Sequence, residues 1–354
     1  MWPTIFKLPW LNTPIRAYGL MLMIGFLGGT WWAARRAVRV KADPDLVVNV
    51  GFLVLISSVV GARLFYVIHY WDEHFAGRGL WSVVNVTAGG LEFYGGFLGA
   101  VVAGLVFGWI RSKQIRLYLD IIAPSVMFGM SMARIGCFLN GCCWGGLCSP
   151  ELPWAVRFPF ASPVFYRQWD QRLVTVPAEL IYVNSTGMPY PIPRDLLAMS
   201  PEERHAQLEK QPAVVLPLVS QVKEFHLTPS EIEELAREPE HRSRHVHPVQ
   251  LYAAVNGMVL ALLLSTYFYR RKRHGMVFGW LLLLYPIVRV IEEVIRIDNP
   301  HDTAGLTVSQ FISIVLVICG MVYIYAIRRL PLRSPDLVPY AAFSLDSEPK
   351  KRKE

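Results

Sequence analysis

Charge is what this sequence has least of. Asp, Glu, Lys and Arg make up 18% of 354 residues, against ~25% in an average soluble domain. Apolar residues reach 53% and the mean hydropathy is positive. These figures exclude a disordered or collagen-like chain, and five cysteines at this length exclude a small disulfide-stapled scaffold. There is no C-x-x-C redox pair, no His/Cys spacing suited to a metal and no Gly-rich phosphate loop, so neither a metal nor a cofactor is expected. No internal repeat points to a solenoid or to an inverted-repeat transporter. The opening segment lacks a basic n-region and an A-x-A site, so the first apolar stretch is expected to be retained. A net charge of +8 is a modest excess, better matched to anionic lipid than to nucleic acid.

What the chain has instead is length of apolar sequence. Crossing ~30 Å of hydrocarbon takes ~20 residues as a helix, and stretches of that order fall at 17–34, 47–70, 92–110, 117–139, 248–269, 275–297 and 307–327. The fold class expected is an all-α membrane protein, a polytopic bundle of about seven transmembrane helices. Basic residues mark every second connection: Arg35, Arg36, Arg39 and Lys41; Arg111, Lys113 and Arg116; Arg270 to Arg273; Arg328 and Arg329. The positive-inside rule then places the N-terminus outside and the C-terminus in the cytoplasm. The division expected is helices 1–4 over 1–139, an extracytoplasmic head or arm over 140–247 with a polar insertion at 200–244, helices 5–7 over 248–330 and a basic cytoplasmic tail over 331–354. Within the insertion, Thr228, Pro229 and Glu231 have the pattern of a helix start around Thr228–Arg237.

A charge at mid-membrane costs from ~3 to over 10 kcal/mol, so each one asks for a reason. Arg63, Asp120, Arg134, Arg289, Glu292, Glu293 and Arg296 all lie within the apolar stretches. Arg289 with Glu292 (i, i+3), Arg289 with Glu293 (i, i+4) and Glu293 with Arg296 (i, i+3) lie along one helix face, which a self-solvating ladder explains in part. Arg134, Arg289 and Arg296 also fall in the outer halves of their spans. Several guanidinium groups at that depth suit a phosphate-bearing lipid head group, because the planar fork pairs bidentately with phosphate oxygens. Gly95–Gly96 and Asn140–Gly141 either pack helices closely or line a cavity with non-helical backbone. Cys137, Cys142, Cys143 and Cys148 cluster in a C-x4-C-C-x4-C pattern. Free, inert thiols, a structural disulfide, redox chemistry and a metal all remain open for them, in falling order.

Taken in order, these segments resemble the prolipoprotein diacylglyceryl transferase family. The similarity is carried by Ile15-Arg-Ala-Tyr18-Gly19, Gly61-Ala-Arg63-Leu-Phe-Tyr66, Gly89-Gly-Leu-Glu-Phe-Tyr94-Gly95-Gly96, Ala133-Arg134-Ile-Gly136-Cys137-Phe-Leu-Asn140-Gly141-Cys-Cys-Trp144-Gly145, His247-Pro248-Val-Gln250-Leu-Tyr252, Tyr285 to Arg289, Glu293, Arg296 and Ser309-Gln310. The resemblance implies a bacterial inner-membrane enzyme with its site toward the periplasmic leaflet. The implied reaction moves the diacylglyceryl group of phosphatidylglycerol onto the lipobox cysteine of a prolipoprotein signal peptide, forming a thioether and releasing glycerol phosphate. It implies catalytic roles for Arg134, Arg289, Tyr94, Tyr18 and Asn140. Substrate binding falls to Arg63, Gly95, Gly96, Gly145, His247, Tyr285, Glu293 and Arg296. Two positions depart from the family pattern: Tyr94 stands where much of the family has His, and Cys137 where it usually has Asn, which leaves the proton-transfer role open. On this reading Ser at Cys142 and Cys143 spares activity. The alternatives are a non-catalytic protein that binds or transports a lipid or anionic solute, and an outward-facing thiol oxidoreductase.

Overall fold

The computed structural model describes residues 4–7, 14–76, 79–85, 90–111, 114–176, 180–183, 189–191, 234, 238–296 and 306–332. Seven long helices dominate: α1 (Ala17–Arg39), α2 (Pro44–His69), α4 (Phe93–Arg111), α5 (Ile115–Asn140), α7 (Val249–Arg270), α8 (Met276–Ile295) and α9 (Val308–Arg329). Two short ones, α3 (Leu80–Val84) and α6 (Pro163–Asp170), lie in the connections. Among the described residues, five helices, α1, α2, α5, α7 and α9, are long and apolar enough to cross a membrane. The protein is therefore a helical, multi-pass membrane protein. The sequence did not announce two small antiparallel hairpins, β1 (Thr4–Lys7) with β2 (Pro14–Arg16) and β3 (Ile181–Val183) with β4 (Pro189–Pro191). Apart from Glu234, the helix expected around Thr228–Arg237 lies outside the described residues, as does most of the 200–244 insertion.

The helices divide between two compact units. One comprises 1–23, 130–256 and 287–313, and the other 24–129, 257–286 and 314–354. The first therefore collects the N-terminal ends of α1, α7 and α9 with the C-terminal ends of α5 and α8.

In the second unit, α2 and α4 meet through glycine. A Cβ on Gly95 would collide with the Gly61 carbonyl and the Phe65 side chain, and one on Gly99 would come within 2.5 Å of the Ser57 carbonyl. Small residues let two helix backbones touch, which is how packing is gained where lipid supplies no hydrophobic drive. Gly95 and Gly96 are helical and buried, so the geometry gives them this packing role rather than an open loop.

Arg63 shows why a sequence-level arginine is not yet a ligand site. Its Nε donates to the Val83 carbonyl at 2.8 Å, one terminal nitrogen to Gly90 at 2.9 Å and the other to Ser82 at 2.6 Å. All three nitrogens of the fork thus serve carbonyls of α3 and of the segment that follows it, and the guanidinium also lies over Tyr66 and Phe75. Gly90 has φ +76°, and a Cβ there would strike the Tyr66 ring. Arg63, expected to bind substrate, is built in as a clamp on this connection.

Two other buried charges are equally structural. Arg36, read from sequence as one of four basic residues after the first span, lies within α1 and is buried. It donates to the Ile121 carbonyl, one residue along from the Asp120 carbonyl that Pro124 leaves without its helical partner. Asp120, fully buried in α5, receives the amide of Gly275 at 2.7 Å and of Phe278 at 3.0 Å, and pairs with the Arg271 Nε at 2.8 Å. One carboxylate thus caps the start of α8, where four amides lack intrahelical partners and the dipole favours negative charge.

Candidate active site in the first unit

The site is assembled at the end of α5. Arg134 and Cys137 stand three residues apart and so share a face of the helix. The helix then stops in a Schellman turn. Gly141 adopts φ +77°, its amide reaches the Phe138 carbonyl at 3.2 Å, and the Cys142 amide reaches Cys137 at 3.1 Å. Two residues on, Cys143 has φ +61°, a left-handed conformation that costs a side-chain-bearing residue energy and needs its surroundings to hold it. Part of that hold comes from α7, where the Gln250 Nε2 donates to the Cys142 carbonyl at 2.7 Å.

The chain reversal folds two thiols back over a third. The sulfurs of Cys137, Cys142 and Cys143 all lie within 4.8 Å of one another. All three are free, Cys137 buried and the other two half-buried. Cys148 stands outside the group; its amide bonds the His245 carbonyl at 3.0 Å. The side chain of Asn140 hydrogen-bonds the Cys142 thiol. Arg296 and Arg134 are close enough to act on the Cys143 charge. Hydrogen bonds from Cys137 and then Cys142, aided by the two guanidinium groups, hold the Cys143 thiol well below its ordinary value. Tyr18, on the first turn of α1, lies within electrostatic reach of all three thiols and of Arg134. It gets there because Gly136 is small: a Cβ at that position would sit 3.0 Å from the Tyr18 ring.

A short antiparallel run carries the loop after these thiols. The Gly145 amide donates to the His247 carbonyl and the His247 amide to Gly146, both at 3.0 Å. A Cβ on Gly145 would lie 2.5 Å from Val249, so its role is this close approach. The His247 ring meets the Tyr252 hydroxyl at 3.3 Å, a packing contact at the start of α7. Behind the run, Phe158, Val164 and Val246 form a small core against Phe138, Trp144 and Val156.

From α8 come Arg289 and Glu293, paired at 2.6 Å across one turn. Glu293 also receives the Thr307 hydroxyl at 2.9 Å. Thr307 opens α9 in a capping box: its hydroxyl accepts the Gln310 amide at 3.2 Å, and the Gln310 side chain accepts the Thr307 amide at 3.0 Å. Glu292 does not join the ladder expected from its spacing; it accepts from Asn256 on α7 at 3.0 Å. The Gly146 amide bonds the Ile295 carbonyl at 2.9 Å, tying the end of α8 to the thiol-bearing loop.

Among the residues expected from sequence, Tyr18, Arg134, Asn140, Gly145, His247, Arg289, Glu293 and Arg296 belong to this unit. Arg63, Tyr94, Gly95, Gly96 and Tyr285 belong to the other, where Tyr94 is exposed on the first turn of α4 and Tyr285 is half-buried in α8. Sequence reasoning missed Gln250, Asn256 and Thr307 as supports. Thr307 had a readable signal in the T-x-x-Q spacing before an apolar run, and Gln250 stood in the quoted His247-to-Tyr252 segment without a role.

Thr307 gives a direct test of this support. Thr307→Val keeps the shape and loses both the cap and the bond to Glu293, each of the order of 1–2 kcal/mol. The expected result is an unfolding midpoint several degrees lower in detergent, with Thr307→Ser close to wild type.

The fold and this site define a multi-pass helical membrane protein that gathers arginines, thiols and a tyrosine in a unit built from helix ends. The family model described as prolipoprotein diacylglyceryl transferase matches residues 3–326, and the chain belongs to that family. It is 27% identical over 321 residues to the phosphatidylglycerol–prolipoprotein diacylglyceryl transferase of Proteus mirabilis, covering 88% of each chain. It is 28% identical over 331 residues to the protein of that name from Erwinia tasmaniensis, covering 89% of each. The like-named protein of Pseudoalteromonas translucida is 35% identical over 164 residues, a match spanning 46% of this chain and 60% of that relative.

Proposed function

We propose that this chain transfers the diacylglyceryl group of phosphatidylglycerol to the lipobox cysteine thiol of a prolipoprotein, in a bacterial inner membrane with the site toward the periplasmic leaflet. The observation that carries the proposal is the grouping of Arg134, Arg296, Tyr18 and Asn140 around one turn at the end of α5, in a chain of this family. Seven spans with the N-terminus outside put all the ends collected in the first unit at the outer leaflet, where the head group lies.

Three tasks follow from the chemistry. The phosphodiester is gripped by Arg134, Arg289 and Arg296. Glu293 engages one terminal nitrogen of Arg289, and a guanidinium has five N–H donors in all. These fixed donors then stabilise the charge that builds on the departing glycerol phosphate, which costs no reorganisation at the moment of reaction. Tyr18 and Asn140 position the reacting groups. The attacking sulfur must be a thiolate, since a free thiol with pKa ~8.5 is mostly protonated at neutral pH.

The catalytic role that the family resemblance implies for Tyr94 is tested by substitution. Tyr94→Phe is expected to slow transfer by roughly 10²-fold with the protein still folded. A near-wild-type rate removes the hydroxyl from the reaction.

The reaction itself is tested with purified protein, phosphatidylglycerol vesicles and a lipobox peptide. Mass spectrometry should find the peptide heavier by one diacylglyceryl group on sulfur, and a Cys→Ser peptide should stay unmodified. A peptide left unmodified beside a working transferase control overturns the reading. So does a protein that binds the lipid without converting it, which would favour the transport class.

A further inference from the structure

We propose that Cys137, Cys142 and Cys143 form a three-thiolate zinc site whose fourth position takes the substrate cysteine sulfur. The last clause rests on the transfer reading above; the metal site does not. The geometry is close to what zinc demands. With Zn–S bonds of about 2.3 Å at tetrahedral angles, ligand sulfurs stand about 3.8 Å apart. Three sulfurs already within 4.8 Å need to close by at most ~1 Å. Thiolate-rich sites select zinc and copper(I) over harder ions.

The site is built rather than incidental. The left-handed φ of Cys143 and the Schellman turn at Gly141 together aim two consecutive side chains back at a third. The Gln250 amide fixes the backbone between them. The other amide atom of that buried side chain, Oε1, has no hydrogen-bond partner among the described residues. Structural zinc is closed by four protein ligands, whereas catalytic zinc keeps one position open. Among the described residues the cluster holds three ligand groups, and Cys148 is not one of them.

Charge fits as well. Three thiolates and Zn²⁺ sum to −1, and a fourth thiolate brings −2, which the guanidinium groups of Arg134 and Arg296 beside Cys143 would balance. Among the described residues, those that act on the cluster are a phenol, an amide and two guanidinium groups, none of them a ready base. Coordination answers that need, because a metal-bound thiol is deprotonated outright. The substrate S–H proton passes to solvent on binding. The sulfur lone pair then forms the S–C bond to the glycerol carbon, and the C–O bond to phosphate breaks with its electron pair going to the departing glycerol phosphate. The product thioether is neutral and a weak ligand, so it leaves while the three protein thiolates keep the ion. This reverses the sequence-based expectation that Ser at Cys142 and Cys143 spares activity.

The test measures metal first. Protein purified without chelator should carry about one zinc per chain by mass spectrometry. Cobalt exchange should give the sulfur-to-metal charge-transfer and d–d bands of a tetrahedral thiolate site. Cys137→Ser, Cys142→Ser and Cys143→Ser should each lose most of the metal, while Cys148→Ser and Cys319→Ser keep it. Adding lipobox peptide to the cobalt form should shift the d–d bands, and the peptide with Ser for Cys should not. Because that last comparison uses wild-type protein, poorly folding variants do not blunt it. Stoichiometry below about 0.1, copper in place of zinc, a disulfide among the three thiols, or full transfer by metal-free protein overturns the proposal. Metal and spectral response without any thioether product would instead sink the transfer reading and leave the metal site standing.

Discussion

Arg134→Ala is expected to lower single-turnover thioether formation by at least ~10³-fold, about 4 kcal/mol of transition-state stabilisation. The residue sits nearly two turns before the end of α5, within reach of Tyr18 and of the Cys143 thiol, in the unit that also holds Arg289 and Arg296. Its charge is worth most as negative charge moves onto the leaving phosphate, so the loss should fall on the chemical step more than on lipid affinity. Arg134→Lys should recover little. An ammonium matches the charge without the planar two-pronged geometry that a phosphate oxygen pair accepts. The check pairs rapid-quench mass spectrometry of the peptide with a thermal-unfolding curve, which separates lost chemistry from lost fold. A rate within tenfold of wild type at unchanged stability would falsify the assignment of phosphate binding to this guanidinium.

The helices were readable because length and apolarity are one-dimensional signals. The stretch read at 117–139 is α5 over Ile115–Asn140, and that read at 307–327 is α9 over Val308–Arg329. The largest error, ending the first stretch at 34 where α1 runs to Arg39, came from treating arginine as a stop. Arginine is a good helix former, and Arg36 is taken inside against the Ile121 carbonyl, a partner no local pattern reveals. The clamp formed by Arg63 was illegible for the same reason: its carbonyl partners lie 19, 20 and 27 residues away, and no local spacing links them to it. In the candidate site, Arg134, Asn140 and the i, i+4 pair of Arg289 with Glu293 were legible from sequence. The thiol cluster was not, because a C-x4-C-C spacing becomes a cluster only when Cys143 adopts a positive φ.

Asp120 marks the point where a buried charge turns out to hold the fold together, and its removal should have the largest effect on stability. Asp120→Ala is expected to cost about 3–5 kcal/mol, the usual penalty for stranding one partner of a buried ion pair. Asp120 is fully buried, and the side chain of Arg271 keeps only 7% of its surface exposed. Two further losses come with the carboxylate: the amides of Gly275 and Phe278 no longer have an acceptor at the start of α8. Asp120→Asn should be milder, since an amide oxygen can still cap one of those groups. Arg271→Met paired with Asp120→Ala should regain part of the loss, because the double change removes the stranded cation and Met can still lie on the Phe268 ring that the guanidinium covers at 3.6 Å. Thermal unfolding of the four proteins in one detergent measures this directly. Equal midpoints for Asp120→Ala and wild type would mean that the carboxylate contributes nothing to holding α8. A double variant no better than Asp120→Ala would assign the loss to the helix cap rather than to the ion pair.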